Sequence, residues 1–175
     1  MTAKAQFEKR GCLELRAKDR KLEGYAATFG TEARIGDFVE KIAPGAFAGS
    51  LRSGRDVLAV IDHDLSRVLG RTKSGTLRLS EDTRGLAFEI DMPDTQDGRD
   101  VLALAERGDL GGMSFRFRVP AGGERWEGRN RTLTQVELIE VSVISSFPAY
   151  AGTEVQARAA NPQAARMRMI LETLR

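Results

Sequence analysis

Short apolar runs closed off by glycine or proline follow one another through the chain between Leu22 and Pro148. Runs of that length build strands; they are too short and too often interrupted for long helices. Residues 22–29 end at Gly30, and residues 37–42 end at Pro44-Gly45. Residues 57–61 (Val-Leu-Ala-Val-Ile) are continuously apolar, as a buried central strand would be. Residues 76–79 and 86–90, preceded by Ser74-Gly75 and by Gly85, read as a hairpin. From Met113 to Val119 the alternation is clean: Met113, Phe115, Phe117 and Val119 share one face, and Ser114, Arg116 and Arg118 the other. Gly122-Gly123 and Gly128 mark a polar loop around Trp126, and residues 133–145 form a long extended stretch. Helix is confined to two places. One is a short piece at 46–51 after the Pro-Gly turn. The other carries Val101, Leu102, Leu104 and Ala105 along one side, with Asp97 or Asp100 near its start and Gly108 just past its end. No 20–50-residue repeat is present, which excludes a solenoid. The expected fold is therefore mainly β with a few helices (α+β), mostly antiparallel, and closed or partly closed into a barrel.

The length of 175 residues suits one domain, and 41% hydrophobic residues exclude a wholly disordered chain. No apolar run approaches the roughly 20 residues of a membrane span. The first ten residues have no continuous apolar stretch, so no secretory leader is expected. One cysteine, Cys12, and one histidine leave few soft ligands, so neither a disulfide nor a structural metal is expected. The net charge of +2 is uneven. Residues 1–23 carry seven Lys/Arg and four Asp/Glu, and residues 155–175 carry four Arg and only Glu172. Residues 24–154 are left with 16 basic against 20 acidic side chains, an acidic body that argues against a nucleic-acid grip. Beyond about Val155 a linker leads to Met167, Ile170, Leu171 and Leu174, spaced as one face of a short helix. The expected organisation is a basic N-terminal segment with the first strand (1–21), a main domain (22–155), and a linker with a short amphipathic helix (156–175).

Three residues could carry chemistry. His63 stands at the end of the apolar 57–61 run, between Asp62 and Asp64. A neutral imidazole is the usual base for activating a hydroxyl near pH 7. If the strand continues that far, both aspartates point away from the ring and instead solvate a strand end. Ser114 lies on the polar face of its strand after a glycine-rich turn, which offers a rigid mount and an exposed oxygen. Glu140 interrupts the otherwise apolar 138–144 segment, so a buried carboxylate there needs a partner: an imidazole, or Arg116 or Arg118. Glu137 is its competitor and, by strand alternation, faces the other side. A histidine on a loop, an unremarkable serine and a structural ion pair would explain the same residues. An esterase is disfavoured because Ser114 sits in Gly112-Met-Ser-Phe-Arg116 and lacks the Gly-x-Ser-x-Gly elbow.

These residues fall among segments that occur together: Gly24-Tyr-Ala-Ala-Thr-Phe-Gly30, Ile42-Ala-Pro-Gly-Ala-Phe47, His63-Asp64, Leu69-Gly-Arg71, Ser74-Gly-Thr-Leu77, Arg107-Gly-Asp109, Gly112-Met-Ser-Phe115, Glu140-Val-Ser142 and Phe147-Pro-Ala-Tyr150. In this order, over about residues 22–155, the chain resembles the prohead (capsid-maturation) serine proteases of tailed phages and phage-like particles, which are related to the herpesvirus assemblins. The resemblance implies a cofactor-free serine endopeptidase that trims a scaffold or capsid precursor, and itself in some cases, inside the immature head in the bacterial cytoplasm. Ser114 would be the nucleophile, His63 the base and Glu140 the orienting acid. Assemblins have histidine in the third place, which a chain with one histidine excludes. Arg116, Ala149 and Tyr150 are candidates for oxyanion or substrate contacts, while Arg71 and Arg107 match family positions that structure alone could explain. The partners implied are the major capsid protein or its scaffold segment, and a second copy of the chain. No nucleic-acid or membrane partner is expected. The alternative is a catalytically silent capsid-assembly or scaffold protein with the same fold.

Overall fold

A computed structural model describes residues 8–12 and 14–146. In chain order its strands are β1 (Glu8–Cys12), β2 (Glu14–Lys18), β3 (Lys21–Thr28), β4 (Ala33–Ile35), β5 (Phe38–Ile42), β6 (Leu58–Ile61), β7 (Asp64–Arg71), β8 (Leu77–Glu81), β9 (Gly85–Asp91), β10 (Gly112–Arg118), β11 (Glu124–Glu127), β12 (Asn130–Leu133) and β13 (Glu137–Ile144). Helix α1 (Ala48–Arg52) separates β5 from β6, and α2 (Gln96–Arg107) separates β9 from β10. They form a five-stranded sheet in the order β1-β10-β13-β6-β7 and two four-stranded sheets, β2-β3-β9-β8 and β11-β12-β5-β4. Neighbouring strands are antiparallel except in the β13–β6 and β12–β5 pairs.

The mainly β, α+β expectation holds, but the closed barrel does not. Closure needs one ladder that returns on itself, and all three sheets are open. The N-terminal segment does not join two of them into one ladder. It contains two strands rather than one, and consecutive strands β1 and β2 belong to different sheets. The sheets are united by burial instead: a single apolar cluster includes Leu22, Ile42, Leu77, Phe115 and Leu138, with Val101 from α2. Phe115 anchors it, edge-on to Phe47 at 5.5 Å and stacked on Phe117 at 5.1 Å. Each such ring contributes about 1.5–3 kcal/mol through burial alone.

Other departures have local causes. The polar loop foreseen around Trp126 is the β11–β12 hairpin, turning at Gly128 with φ 61°. All four β11 residues are exposed, so no alternation announces the strand. β4 is only three residues long, and β7 begins with three exposed residues; neither carries a legible pattern. Helix α2 is capped by Thr95, whose side chain accepts from Gly98 N–H at 3.2 Å, so Asp97 lies in the first turn and Asp100 deeper in the helix. Gly108 closes α2 in the left-handed region, as expected. No helix among the described residues is long and apolar enough to cross a membrane. The expected tail at 156–175 lies outside the described residues.

One irregularity decides which side chains share a face. Arg116 stands opposite Glu140, but Phe117 stands opposite Leu138, so Ile139 is an extra residue in β13. This β-bulge puts Glu137, opposite Arg118, on the same face as Glu140. The sequence expectation that the two glutamates face opposite sides is therefore wrong: strict alternation assumes an unbroken ladder. The buried Leu138 N–H beside the bulge donates to Ser50 Oγ of α1 at 2.8 Å. Ser50→Ala leaves that amide unpaired, and an unpaired buried donor costs about 1–3 kcal/mol. We expect a loss of that size in urea unfolding; a loss under about 0.5 kcal/mol would show that the bulge does not depend on α1.

Candidate active site

Strand β6 runs parallel to β13 and turns back into β7 through only two residues, Asp62 and His63. Both have positive φ, 47° and 62°, as a tight two-residue hairpin turn requires. Aspartate and histidine are among the few side chains that tolerate this region. The turn is held to β13 at several points. Asp62 N–H donates to Val143 O and His63 N–H to Ser142 Oγ, each at 2.8 Å. The Asp62 carboxylate accepts from Ser145 N–H at 2.8 Å and Ser145 Oγ–H at 2.7 Å. His63 is thus a turn residue and not the end of a strand.

Ser114 and Glu140 come from the adjacent strands β10 and β13, where Ser114 is opposite Ser142 and Arg116 opposite Glu140. The register places Ser114, Arg116, Glu140 and Ser142 on one face, and the turn carries the His63 ring over it. His63 Nδ1 lies 2.5 Å from Glu140 Oε1, and Nε2 lies 3.0 Å from Ser114 Oγ. A carboxylate only accepts, so Nδ1 carries the proton and Nε2 is left to accept from the Ser114 hydroxyl. Glu140 is fully buried, while the side chain of His63 is 10% exposed. Ser114 itself is 6% exposed. A base oriented by a buried carboxylate and hydrogen-bonded to a hydroxyl is an arrangement able to make that oxygen a nucleophile.

Entry into β10 requires glycine at 111. A Cβ built there would lie 1.5 Å from Ser146 O, and Gly111 N–H donates to Ile144 O at 2.8 Å. The chain before Ser114 is thereby laid against the end of the Glu140 strand.

Apart from Arg116, the charges flanking these residues are committed elsewhere. Glu137 shares the face but binds Arg118, and also Arg55 at 2.8 Å; the Arg118 hydrogen bond is the main cause holding its carboxyl below the usual range. Asp64 accepts from Ser66 Oγ and N–H, at 2.6 and 2.9 Å, and these bonds lower its carboxyl too. Arg116 points inward: Nη1 is 3.5 Å from Glu140 Oε2, and Nη2 donates to the His63 carbonyl at 3.3 Å. Arg71 pairs with Asp56, and Arg107 with Asp109 at 2.7 Å. Ala149 and Tyr150 lie outside the described residues. No group of three or more His, Cys, Asp or Glu among the described residues is placed to hold a metal ion.

The supports of the turn carry no signal in the sequence. Ser142 lies within the Glu-Val-Ser segment, yet nothing in the sequence marks its hydroxyl as the acceptor for His63 N–H. Asp62, expected to solvate a strand end, is instead the clamp to Ser145.

A family model described as caudovirus prohead serine protease matches residues 11–168. No curated protein and no solved structure matches the chain.

Proposed function

Because the chain belongs to the caudovirus prohead serine protease family, we propose that it is a serine endopeptidase that cleaves a capsid or scaffold precursor inside the immature head, with Ser114, His63 and Glu140 as its triad. The observation that supports this reading is the continuous path from Glu140 Oε1 through the His63 ring to Ser114 Oγ, with links of 2.5 and 3.0 Å. Ser114 Oγ adds to the scissile carbonyl carbon as its proton passes to His63 Nε2. The tetrahedral adduct collapses, the C–N bond breaks, and the leaving amine takes that proton from Nε2. Water then adds to the acyl-serine ester, giving its proton to the same nitrogen. The second collapse releases the acid, and Nε2 returns the proton to Ser114. Glu140 keeps Nδ1 protonated and stabilises the imidazolium in both halves.

The substrate in this reading is the major capsid protein or its scaffold segment. The enzyme acts within the prohead, and a homodimer is its working form. Intact mass after fluorophosphonate treatment tests the chemistry: one adduct, mapped to Ser114, is expected. A second reading, a catalytically silent assembly protein, draws on the near-complete burial of Ser114. Persistent absence of any adduct on folded protein, including protein co-expressed with a capsid precursor, would favour it.

A further inference from the structure

We propose that Arg116 is a positioning residue: its guanidinium holds Glu140 toward His63 and clamps the carbonyl of the turn that carries the imidazole. The inference rests on the triad reading above and assigns Arg116 this role in place of an oxyanion contact. Glu140 has no exposure, and one of its oxygens is taken by His63 Nδ1. The other, Oε2, is buried without a hydrogen-bond partner among the described residues, and Arg116 Nη1 at 3.5 Å is the cation facing it. A buried carboxylate left without a counter-charge is expensive. Nη2 of the same side chain reaches His63 O at 3.3 Å, so one guanidinium braces both the acid and the base. Register makes this feasible, because Arg116 is directly opposite Glu140 and two residues along β10 from Ser114. The sequence spacing Ser-x-Arg carries no such information without that pairing.

The electrostatic consequence has a definite sign. Arg116 places a positive charge opposite the Glu140 carboxylate that the His63 ring contacts. Removing the guanidinium charge makes the imidazolium easier to form. The other charges around the turn stay the same in such a variant. Asp62 is tied to Ser145, Asp64 to Ser66, and Arg67 of β7 to Asp97 of α2 at 2.8 Å. Among the described residues, Glu140 from β13 contacts the ring from the strands beneath it, and Arg116 from β10 contacts that carboxylate and the His63 carbonyl.

His63 is the only histidine in the chain, so its ring signals can be followed by NMR without ambiguity and without any substrate. The full chain is titrated as wild type, Arg116→Met, Arg116→Gln and Arg116→Lys. Ring protonation is expected at higher pH in the Met and Gln variants than in wild type, and most of the way back toward wild type in the Lys variant. Unmoved midpoints in folded Met and Gln variants would overturn the proposal. Should both lose their fold, Glu140→Gln is compared with wild type. The Arg116 guanidinium protons should be slowly exchanging in wild type and released in the variant, and identical behaviour in the two would overturn it. A failed fluorophosphonate reaction with a shifted ring titration would count against the protease reading alone.

Discussion

Ser114→Ala is expected to lower kcat for cleavage of a capsid precursor by about 10⁶-fold, and His63→Asn by a similar factor. The double variant should be no worse than either single one. Each side chain has value only through the other: the hydroxyl is a weak nucleophile without a base, and the base has nothing to activate without the hydroxyl. Asparagine is chosen at 63 because it tolerates the positive φ of 62° that the turn imposes. Glu140→Gln should cost less, about 10⁴-fold, because the amide retains the shape but can present N–H to Nδ1 and favour the wrong tautomer. Glu137→Gln should stay within about tenfold of wild type, since Glu137 binds Arg118 and Arg55. A Glu137 variant as damaged as the Glu140 variant would move the third role. Additive losses at Ser114 and His63 would dissolve the unit. Single-turnover assays, with melting curves to confirm folding, read both outcomes.

The largest expected effect on stability lies away from the site, at Glu40. It has no exposure, and two guanidinium groups bind it: Arg10 Nη2 donates to Oε2 at 2.8 Å and Arg131 Nη1 to the same oxygen at 2.9 Å. Arg131 also binds Glu8 Oε1 at 2.8 Å and Glu124 at 2.6 Å. The network ties β1, at the edge of the five-stranded sheet, to β5 and β12 of another sheet. Glu40→Ala takes the fully buried counter-charge from Arg10 and Arg131, which keep the more exposed Glu8 and, for Arg131, Glu124, so the loss is expected near the lower end of the about 3–5 kcal/mol that breaking a buried pair costs. That is a large fraction of the 5–15 kcal/mol typical of a domain. Urea midpoints measure it, and a loss below about 1 kcal/mol would mean that water reaches the two arginines. Acid should act on the same network. Burial raises the Glu8 carboxyl, but hydrogen bonding and charge from Arg131, with Arg10 adding to them, lower it overall from its ordinary 4.5. A carboxyl lowered on folding stabilises the protein above its unfolded value. The contribution fades as pH falls below about 4.5 and through the folded value. The urea midpoint of wild type should therefore drop in that range, and Glu8→Gln should flatten the drop.

Much of the local structure could be read from residue order. Met113–Val119 alternates because one side meets the core, and β10 forms there with Met113, Phe115 and Phe117 fully buried. The β8–β9 hairpin, the helix ended by Gly108 and the strand at 22–29 were legible for the same reason: turn residues and apolar spacing are local signals. Strands without such a signal escaped notice, as exposed β11 and three-residue β4 did. The barrel expectation failed because strand count says nothing about which strands become neighbours. The face of Glu137 differs from expectation because a single extra residue, Ile139, shifts the alternation, and the adjoining Leu138 N–H is held by Ser50, 88 positions away.

The sequence by itself determined the mainly β character, the identity of the buried face of β10, and three side chains, each in its own segment, whose chemistry suits catalysis. Those follow from side-chain chemistry and spacing within a single segment. Only the tertiary structure decided that His63 sits in a left-handed turn 51 positions from Ser114 and 77 from Glu140 and bonds to both. The same holds for Arg116 as the cation beside Glu140, and for the two arginines closing on Glu40. These depend on register, a bulge and sheet order, which are set by how distant strands bury their faces against one another.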